Sequence, residues 1–270
     1  MKITVVLPAY NEECDLPPLL ERIGGSLSAA GCDYAILVVD DGSTDRTAEL
    51  AREAATRWPV SLLQHPENRG LGAAVLSGLQ AAMKTDGIVI TMDADNSHDP
   101  SVIPAMVKLA SDSYDVVIAS RFQEGGQEVG VPSMRKLFSH SASFFLRLFF
   151  PYKNVRDYSA GFRAYRSTIL RRLQEVYGTG FIKENGFACM LEVLLKLRSI
   201  GGRAAEIPLI LRYDMKSGAS KMRVVRTVKS YFTVGWKAAV AGRKIALDRK
   251  YQRNAFAKRE HALELTLGGK

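Results

Sequence analysis

The sequence is poor in cysteine and histidine. Its three cysteines, Cys14, Cys32 and Cys189, lie far apart, and its four histidines, His65, His98, His140 and His261, are scattered. An odd, dispersed set of thiols without a CxxC step indicates neither a disulfide framework nor a zinc site, and it fits a reducing compartment. Long apolar runs are missing as well: residues 143–151 are broken by Arg147 and residues 231–242 by Lys237, whereas a membrane-spanning helix needs roughly 20 apolar residues. The amino terminus enters Ile3-Thr4-Val5-Val6-Leu7 at once, with no basic segment ahead of a signal-type apolar core. No internal repeat, low-complexity tract or linker divides the chain. These absences predict a cytoplasmic protein that can lie on a membrane without crossing it.

What is present is an ordinary globular composition over 270 residues, 47% hydrophobic and 24% charged, which excludes a disordered or fibrous chain. The net charge of +9 is unevenly placed. Between Lys221 and Arg259 twelve Lys and Arg face a single acid, Asp248, so the rest of the chain is close to neutral. A near-neutral body with a basic carboxy-terminal stretch predicts an anionic partner for that stretch. In its first part Val224, Val225, Val228, Tyr231, Phe232, Val234 and Trp236 interleave with Lys and Arg at helical spacing. That is the pattern of a helix lying in an anionic membrane surface, the alternative being a helix packed back on the domain. No nucleic-acid partner is expected, because no reader motif accompanies the charge.

The body alternates short β-branched runs with helical periodicity. Strands are predicted at Ile3 to Leu7, Ala35 to Val39, Ser61 to Gln64, Ile88 to Met92 and Val116 to Ala119, and helices at Leu16 to Ala29, from Thr44, from Gly70, and at Ser133 to Phe149. This rhythm predicts an α/β fold with a mostly parallel central sheet, and continuous apolar runs such as Ile36-Leu37-Val38-Val39 predict burial on both faces. Ligands of such sheets bind beyond the carboxyl ends of the strands. Those ends read Pro8-Ala9-Tyr10-Asn11-Glu12, Asp40-Asp41-Gly42-Ser43, His65-Pro66-Glu67-Asn68-Arg69-Gly70 and Asp93-Ala94-Asp95.

Asp93-Ala94-Asp95 places two carboxylates at one rigid strand end, the oxygen-rich setting that Mg²⁺ or Mn²⁺ uses when water and phosphate complete its shell. His98, three residues further on, is closer to a turn or supporting role than to a ligand. Asp40 and Asp41 suit hydrogen bonds from a base or ribose, and Asp41 or Ser43 is a candidate cap for the following helix. Gly70-x-Gly72 is not a dinucleotide fingerprint: it lies in the third unit and lacks the third glycine.

Taken in order, Pro8-Ala9-Tyr10-Asn11-Glu12, Asp40-Asp41-Gly42-Ser43, Asn68-x-Gly70-x-Gly72 and Asp93-Ala94-Asp95 resemble the family 2 inverting glycosyltransferases of GT-A fold. Asp93-Ala94-Asp95-x-Ser97-His98-x-Pro100, Ser120-Arg121-Phe122, Arg135-Lys136-x-x-Ser139, Gly161-Phe162-Arg163-x-Tyr165-Arg166 and Ser220-Lys221 are most similar to the dolichol-phosphate, or polyprenyl-phosphate, mannose synthases. The likeness runs from residue 3 to about residue 222 and implies a domain over residues 1–220, with 221–270 as a basic amphipathic helical extension.

The resemblance implies that Pro8, Tyr10, Asn11, Glu12, Asp40 and Asp41 line the nucleotide of a nucleotide sugar, GDP-mannose being favoured, and that Asp93 and Asp95 hold Mg²⁺ or Mn²⁺ on its diphosphate. It also implies that Arg121 contacts the donor, that Arg135, Ser139 and Arg163 receive an acceptor phosphate, and that Asp95, Arg121 and Arg135 carry the chemistry. A surface charge at Arg135, and an ion pair of Arg163 with Asp157, are the structural alternatives. A phosphate acceptor is already ionised at neutral pH and needs no general base, whereas a hydroxyl acceptor does. The rival expectation is therefore a soluble hydroxyl acceptor, with another donor such as a UDP-sugar and Glu184 or Glu192 as base. An inactive nucleotide-binding scaffold is the remote third.

Overall fold

The computed structural model describes residues 1–218, 227 and 229–237. The first half alternates as the sequence predicts: β1 (Ile3–Ala9), α1 (Leu16–Ala29), β2 (Tyr34–Asp40), α2 (Thr47–Ala54), β3 (Val60–Gln64), α3 (Leu71–Ala82) and β4 (Ile88–Thr91). A 3-10 turn at Pro100–Val102 then leads into α4 (Ile103–Asp112), β5 (Val116–Ser120), β6 (Gln127–Val129) and α5 (Ser133–Phe149). The chain continues through β7 (Arg163–Arg166), α6 (Ser167–Tyr177), α7 (Ala188–Ser199), β8 (Ala204–Pro208) and β9 (Ile210–Arg212).

Seven strands form one sheet in the order β3-β2-β1-β4-β7-β5-β8, while β6 and β9 pair beside it. All pairings in the large sheet are parallel except those of β7, which runs antiparallel between β4 and β5. The sheet is buried on both faces because its strands alternate apolar side chains to either side. In β1, Val5 and Leu7 join Leu16, Leu20 and Ile23 of α1 on one face, and Val6 joins Val75 and Leu79 of α3 on the other. Leu16, Leu19, Leu20, Ile23 and Leu27 repeat on one side of α1 and are all buried, each contributing about 1.5–3 kcal/mol of transfer free energy.

Residues 229–237 are helical. Tyr231 and Val234 enter the same core cluster as α7, and Gly235 lies so close to Phe150 that an added Cβ would sit 2.7 Å from its ring. The helix therefore packs one side against the body, while Phe232 and Trp236 face outward. Ser220-Lys221 and most of the predicted basic extension lie outside the described residues.

Candidate active site

The loops after β1 and β2 are laced together. Asn11, held at a positive φ of 52°, receives Thr44 N on its side-chain oxygen at 2.8 Å, while its own N–H donates to Ser43 Oγ at 2.9 Å. Glu12 N donates to Thr47 Oγ1 at 2.8 Å. These bonds fix Pro8 to Glu12 at the carboxyl end of β1, beside the ends of β2 and β4. Asp40 is buried there, accepting from Ser43 N at 3.1 Å and Gln64 Nε2 at 3.0 Å.

Asp41 differs from its sequence expectation. It is buried, and it accepts the backbone N–H groups of Arg69 and Gly70, the latter at 2.7 Å, with His65 Nδ1 2.7 Å away. A carboxylate so engaged holds the β3–α3 loop in place and is not presented to a nucleotide. The cap of α2 is also reassigned. The helix starts at Thr47 rather than Thr44, its N-cap position is Arg46 without a side-chain cap bond, and Asp45, just before it, accepts Thr47 N at 2.9 Å. Gly72 gives the physical reason that the Gly70-x-Gly72 segment needs glycine: a Cβ there would collide with the carbonyl oxygen of Glu184, so the residue serves a backbone approach and not a phosphate.

One pocket brings together Asp93, Asp95, Arg121, Arg135 and Ser139, five of the residues picked out by the sequence, with Ser159, Tyr213 and Tyr231. Asp95 Oδ1 accepts from Ser97 Oγ at 2.6 Å and Ser97 N at 3.2 Å, and its Oδ2 pairs with Lys216 Nζ at 2.8 Å. Burial pushes the Asp95 carboxyl up, but the charges of Lys216 and His98 and the hydrogen bonds from Lys216 and Ser97 outweigh it and hold the group below the usual carboxylate range. Asp93 goes the other way: burial, reinforced by the like charge of Asp95, pushes it up against the pull of His98, Lys216 and Arg121.

A metal ion fits this pair. Gly161 lies directly against it, an added Cβ falling 2.8 Å from Asp93 Oδ1, so the space over the carboxylate is kept clear of side chain. Among the described residues no group of three or more His, Cys, Asp and Glu could close around a metal. Two carboxylate oxygen donors are the chemistry that Mg²⁺ and Mn²⁺ use when water and phosphate fill their remaining positions, whereas zinc takes nitrogen and sulfur ligands more readily. His98 is buried, stacks on Phe162 with ring centroids 5.2 Å apart, and leaves its Nδ1 without a hydrogen-bond partner.

Arg121 enters the pocket heavily engaged. Its Nε and Nη2 donate to the two oxygens of Asp157 at 2.8 and 2.9 Å, Nη2 also donates to Ser159 Oγ at 2.8 Å, and Nη1 lies 3.3 Å from Glu128 Oε1. Arg135 stacks over the ring of Tyr213 at 4.9 Å and donates to its hydroxyl at 3.0 Å.

Arg163 does not belong to the site. It is fully buried, with Nη1 donating to Met190 O at 2.6 Å and Nη2 to Tyr158 O at 2.9 Å. The sequence expectation of an acceptor-phosphate contact is corrected: this guanidinium ties β7 to α7. The alternative ion pair with Asp157 is not formed either, since Asp157 is taken by Arg121. Glu192 is likewise structural, accepting Lys183 N and Glu184 N and pairing with Lys196 at 2.6 Å. Glu184 lies 3.6 Å from Lys237, and neither glutamate lines the pocket. Sequence reasoning missed Lys216 and Tyr213, and it named Asp157 only as a partner for Arg163 and Tyr231 only in the basic stretch. Only Asp157 carried a signal, as the acid nearest the Gly161-Phe162-Arg163 motif.

Part of the pocket lining is apolar. Phe138, Ala142 and Leu146 line it from α5, with Val131 just before that helix. On the rest of α5, Met134, Leu137, Phe144, Phe145, Leu148 and Phe149 are exposed, an apolar surface that isolated soluble domains seldom carry. No helix among the described residues is long and apolar enough to cross a membrane.

The sequence profile of Glycosyl transferase family 2 matches residues 4–174. The dolichol-phosphate mannosyltransferase of Pyrococcus furiosus is 32% identical over 224 residues, covering 83% of this chain and 60% of that protein. The undecaprenyl-phosphate mannosyltransferase of Micrococcus luteus is 31% identical, covering 82% of this chain and 88% of that protein. The polyprenol monophosphomannose synthase of Mycolicibacterium smegmatis is 30% identical, covering 81% and 80%. Among solved structures, glucosyl-3-phosphoglycerate synthase from Mycobacterium tuberculosis, in complex with Mn²⁺, UDP-glucose and phosphoglyceric acid, superposes with a TM-score of 0.67 at 19% identity, covering 88% of this chain and 79% of that one. That likeness shows the GT-A fold.

Proposed function

Because the chain belongs to glycosyl transferase family 2, we propose that it moves a hexose, mannose from GDP-mannose in the first instance, onto a polyprenyl phosphate at the cytoplasmic face of a membrane. The observation that carries this reading is a pocket of mixed lining. Asp93, Asp95, Arg121, Arg135 and Ser139 line it together with Phe138, Ala142 and Leu146 of α5, a helix that also exposes Phe144, Phe145, Leu148 and Phe149. A charged head with a greasy tail matches both kinds of lining; a soluble sugar hydroxyl matches only one.

Asp93 and Asp95 would hold Mg²⁺ or Mn²⁺, which supplies positive charge to the departing nucleoside diphosphate. The loop at Pro8 to Glu12, at the carboxyl end of β1, binds and orients the nucleotide, with Asp40 bracing the end of β2 beside it. Arg135 and Ser139 receive the acceptor phosphate, Arg135 through a planar fork that can bond two oxygens at once. Arg121, held by Asp157 and Glu128, lines the same pocket and contributes its positive charge toward the donor's diphosphate. The phosphate oxygen is already ionised and attacks the sugar's anomeric carbon from the face opposite the diphosphate, so no side chain has to take a proton. The engagement of Glu192 and the position of Glu184 support that reading over a hydroxyl acceptor. The relatives' names support the lipid phosphate and mannose.

The test measures nucleoside diphosphate release from GDP-mannose and from UDP-glucose, with Mn²⁺ or Mg²⁺, with and without a short polyprenyl phosphate. Lipid-stimulated release from one donor is expected; release indifferent to the lipid selects the hydroxyl-acceptor rival. A second measurement addresses the membrane surface. Phe145→Asp together with Phe149→Asp should weaken sedimentation with anionic vesicles about tenfold or more, since each buried Phe is worth about 1.5–3 kcal/mol. Unchanged sedimentation would show that α5 does not meet the bilayer.

A further inference from the structure

Residues 213–218 follow β9 and run past the pocket carboxylates as a strap that packs on Gly130 and, among the described residues, is tied by hydrogen bonds at three points. At one end the Tyr213 hydroxyl accepts from Arg135 Nη1 at 3.0 Å. At the other, Ser217 N donates to both carboxylate oxygens of Asp15, just before α1, at 3.1 and 3.2 Å. Between them the Lys216 side chain reaches inward to Asp95 Oδ2 at 2.8 Å, where its own exposure is 8%. Ser97 already occupies the other oxygen of Asp95. Both oxygens of a carboxylate suited to a divalent cation are therefore committed within the protein, one of them to a cation belonging to the chain itself.

We propose that Lys216 is an internal counter-ion that latches the strap over the site, and that a divalent metal arriving at Asp93 and Asp95 must eject it, so that metal loading releases residues 213–218. The inference rests on the reading of Asp93 and Asp95 as metal carriers. Its physical basis is competition for one oxygen. The ammonium and the metal are both positive, both seek Asp95 Oδ2, and in a partly buried site their mutual repulsion is poorly screened. A charge-assisted hydrogen bond that must be broken on loading weakens metal binding by the amount it stabilises the metal-free state. The same bond is what joins the middle of the strap to the loop after β4, which couples the two events.

The experiment titrates Mn²⁺ into the full chain without donor or acceptor, following the free-ion signal by electron paramagnetic resonance, for the wild type, Lys216→Met and Lys216→Arg. Lys216→Met is expected to bind Mn²⁺ about tenfold more tightly, and Lys216→Arg, which keeps the charge, to stay near the wild type. Hydrogen exchange read at the Ser217 amide gives the second readout. It should speed up in Lys216→Met without metal, and in the wild type on adding Mn²⁺. Equal Mn²⁺ affinity in wild type and Lys216→Met overturns the inference while leaving the metal reading intact. Absence of Mn²⁺ binding in all three chains overturns both together. Slow Ser217 exchange in the Mn²⁺-saturated wild type overturns the release of the strap.

Discussion

Asp95→Asn is expected to lower sugar transfer about a thousandfold while leaving the chain folded, a loss that corresponds to about 4 kcal/mol of transition-state stabilisation. The side chain keeps its size, and the amide oxygen can still accept from Ser97 Oγ, now 2.6 Å from Asp95 Oδ1. What it loses is the negative charge that a divalent cation and Lys216 both use. The expected loss is on the scale found when a single preorganised electrostatic contact is removed from a reacting centre. The folded state should suffer less. Lys216 loses its anionic partner, but it sits on a strap at the pocket and can turn its ammonium to water. Steady-state transfer with Mn²⁺, together with a thermal melt, separates the two effects. Transfer within about tenfold of the wild type, roughly 1.4 kcal/mol, would remove Asp95 from its assigned role, and a collapsed melt would make it a structural residue.

The fold was legible where local pattern and tertiary burial agree. Helix α1 begins and ends where the sequence places it, Leu16 to Ala29, because prolines at its start and a single buried stripe point the same way. Helix α5 likewise spans Ser133 to Phe149. Strand β7 was not legible: it has four residues, begins and ends with arginine, and runs against its neighbours. The pocket carboxylates, Arg121 and Arg135 were readable because each follows a strand or opens a helix at the ligand-facing edge. Lys216 was not, since its partner Asp95 lies 121 residues away in the chain. Arg163 and Asp41 were misplaced for a common reason. A charged residue in a motif invites a ligand, yet backbone groups engage each: carbonyls take Nη1 and Nη2 of Arg163, whose Nε stays unpartnered, and N–H groups, with His65, take Asp41.

Asp157→Ala should be the most destabilising single change at the edge of the site, costing about 3–5 kcal/mol. Asp157 is fully buried and takes both a side-on pair from Arg121 and the backbone N–H groups of Ser159 and Ala160, at 3.2 and 3.0 Å. Removing it leaves the Arg121 guanidinium, whose side chain is only 15% exposed, with Glu128 as its remaining ionic partner, and strips three backbone donors, those of Arg121, Ser159 and Ala160, of their acceptor. Burial pushes the Asp157 carboxyl up, but the charge and hydrogen bonds of Arg121 overcome it and hold the folded value below the usual carboxylate range. A depressed folded value stabilises the protein above the unfolded carboxylate pKa, about 4, and that contribution is lost as pH falls through the lower folded value. Chemical denaturation of wild type and Asp157→Ala at neutral pH and at pH values stepping down through the acid range therefore has a definite signature. The gap between the two should be widest at neutral pH and narrow toward acid, because the wild type alone loses this pair. A gap that stays constant with pH would mean that Asp157 acts through its shape and its backbone bonds, and that its charge pair with Arg121 adds nothing to the fold.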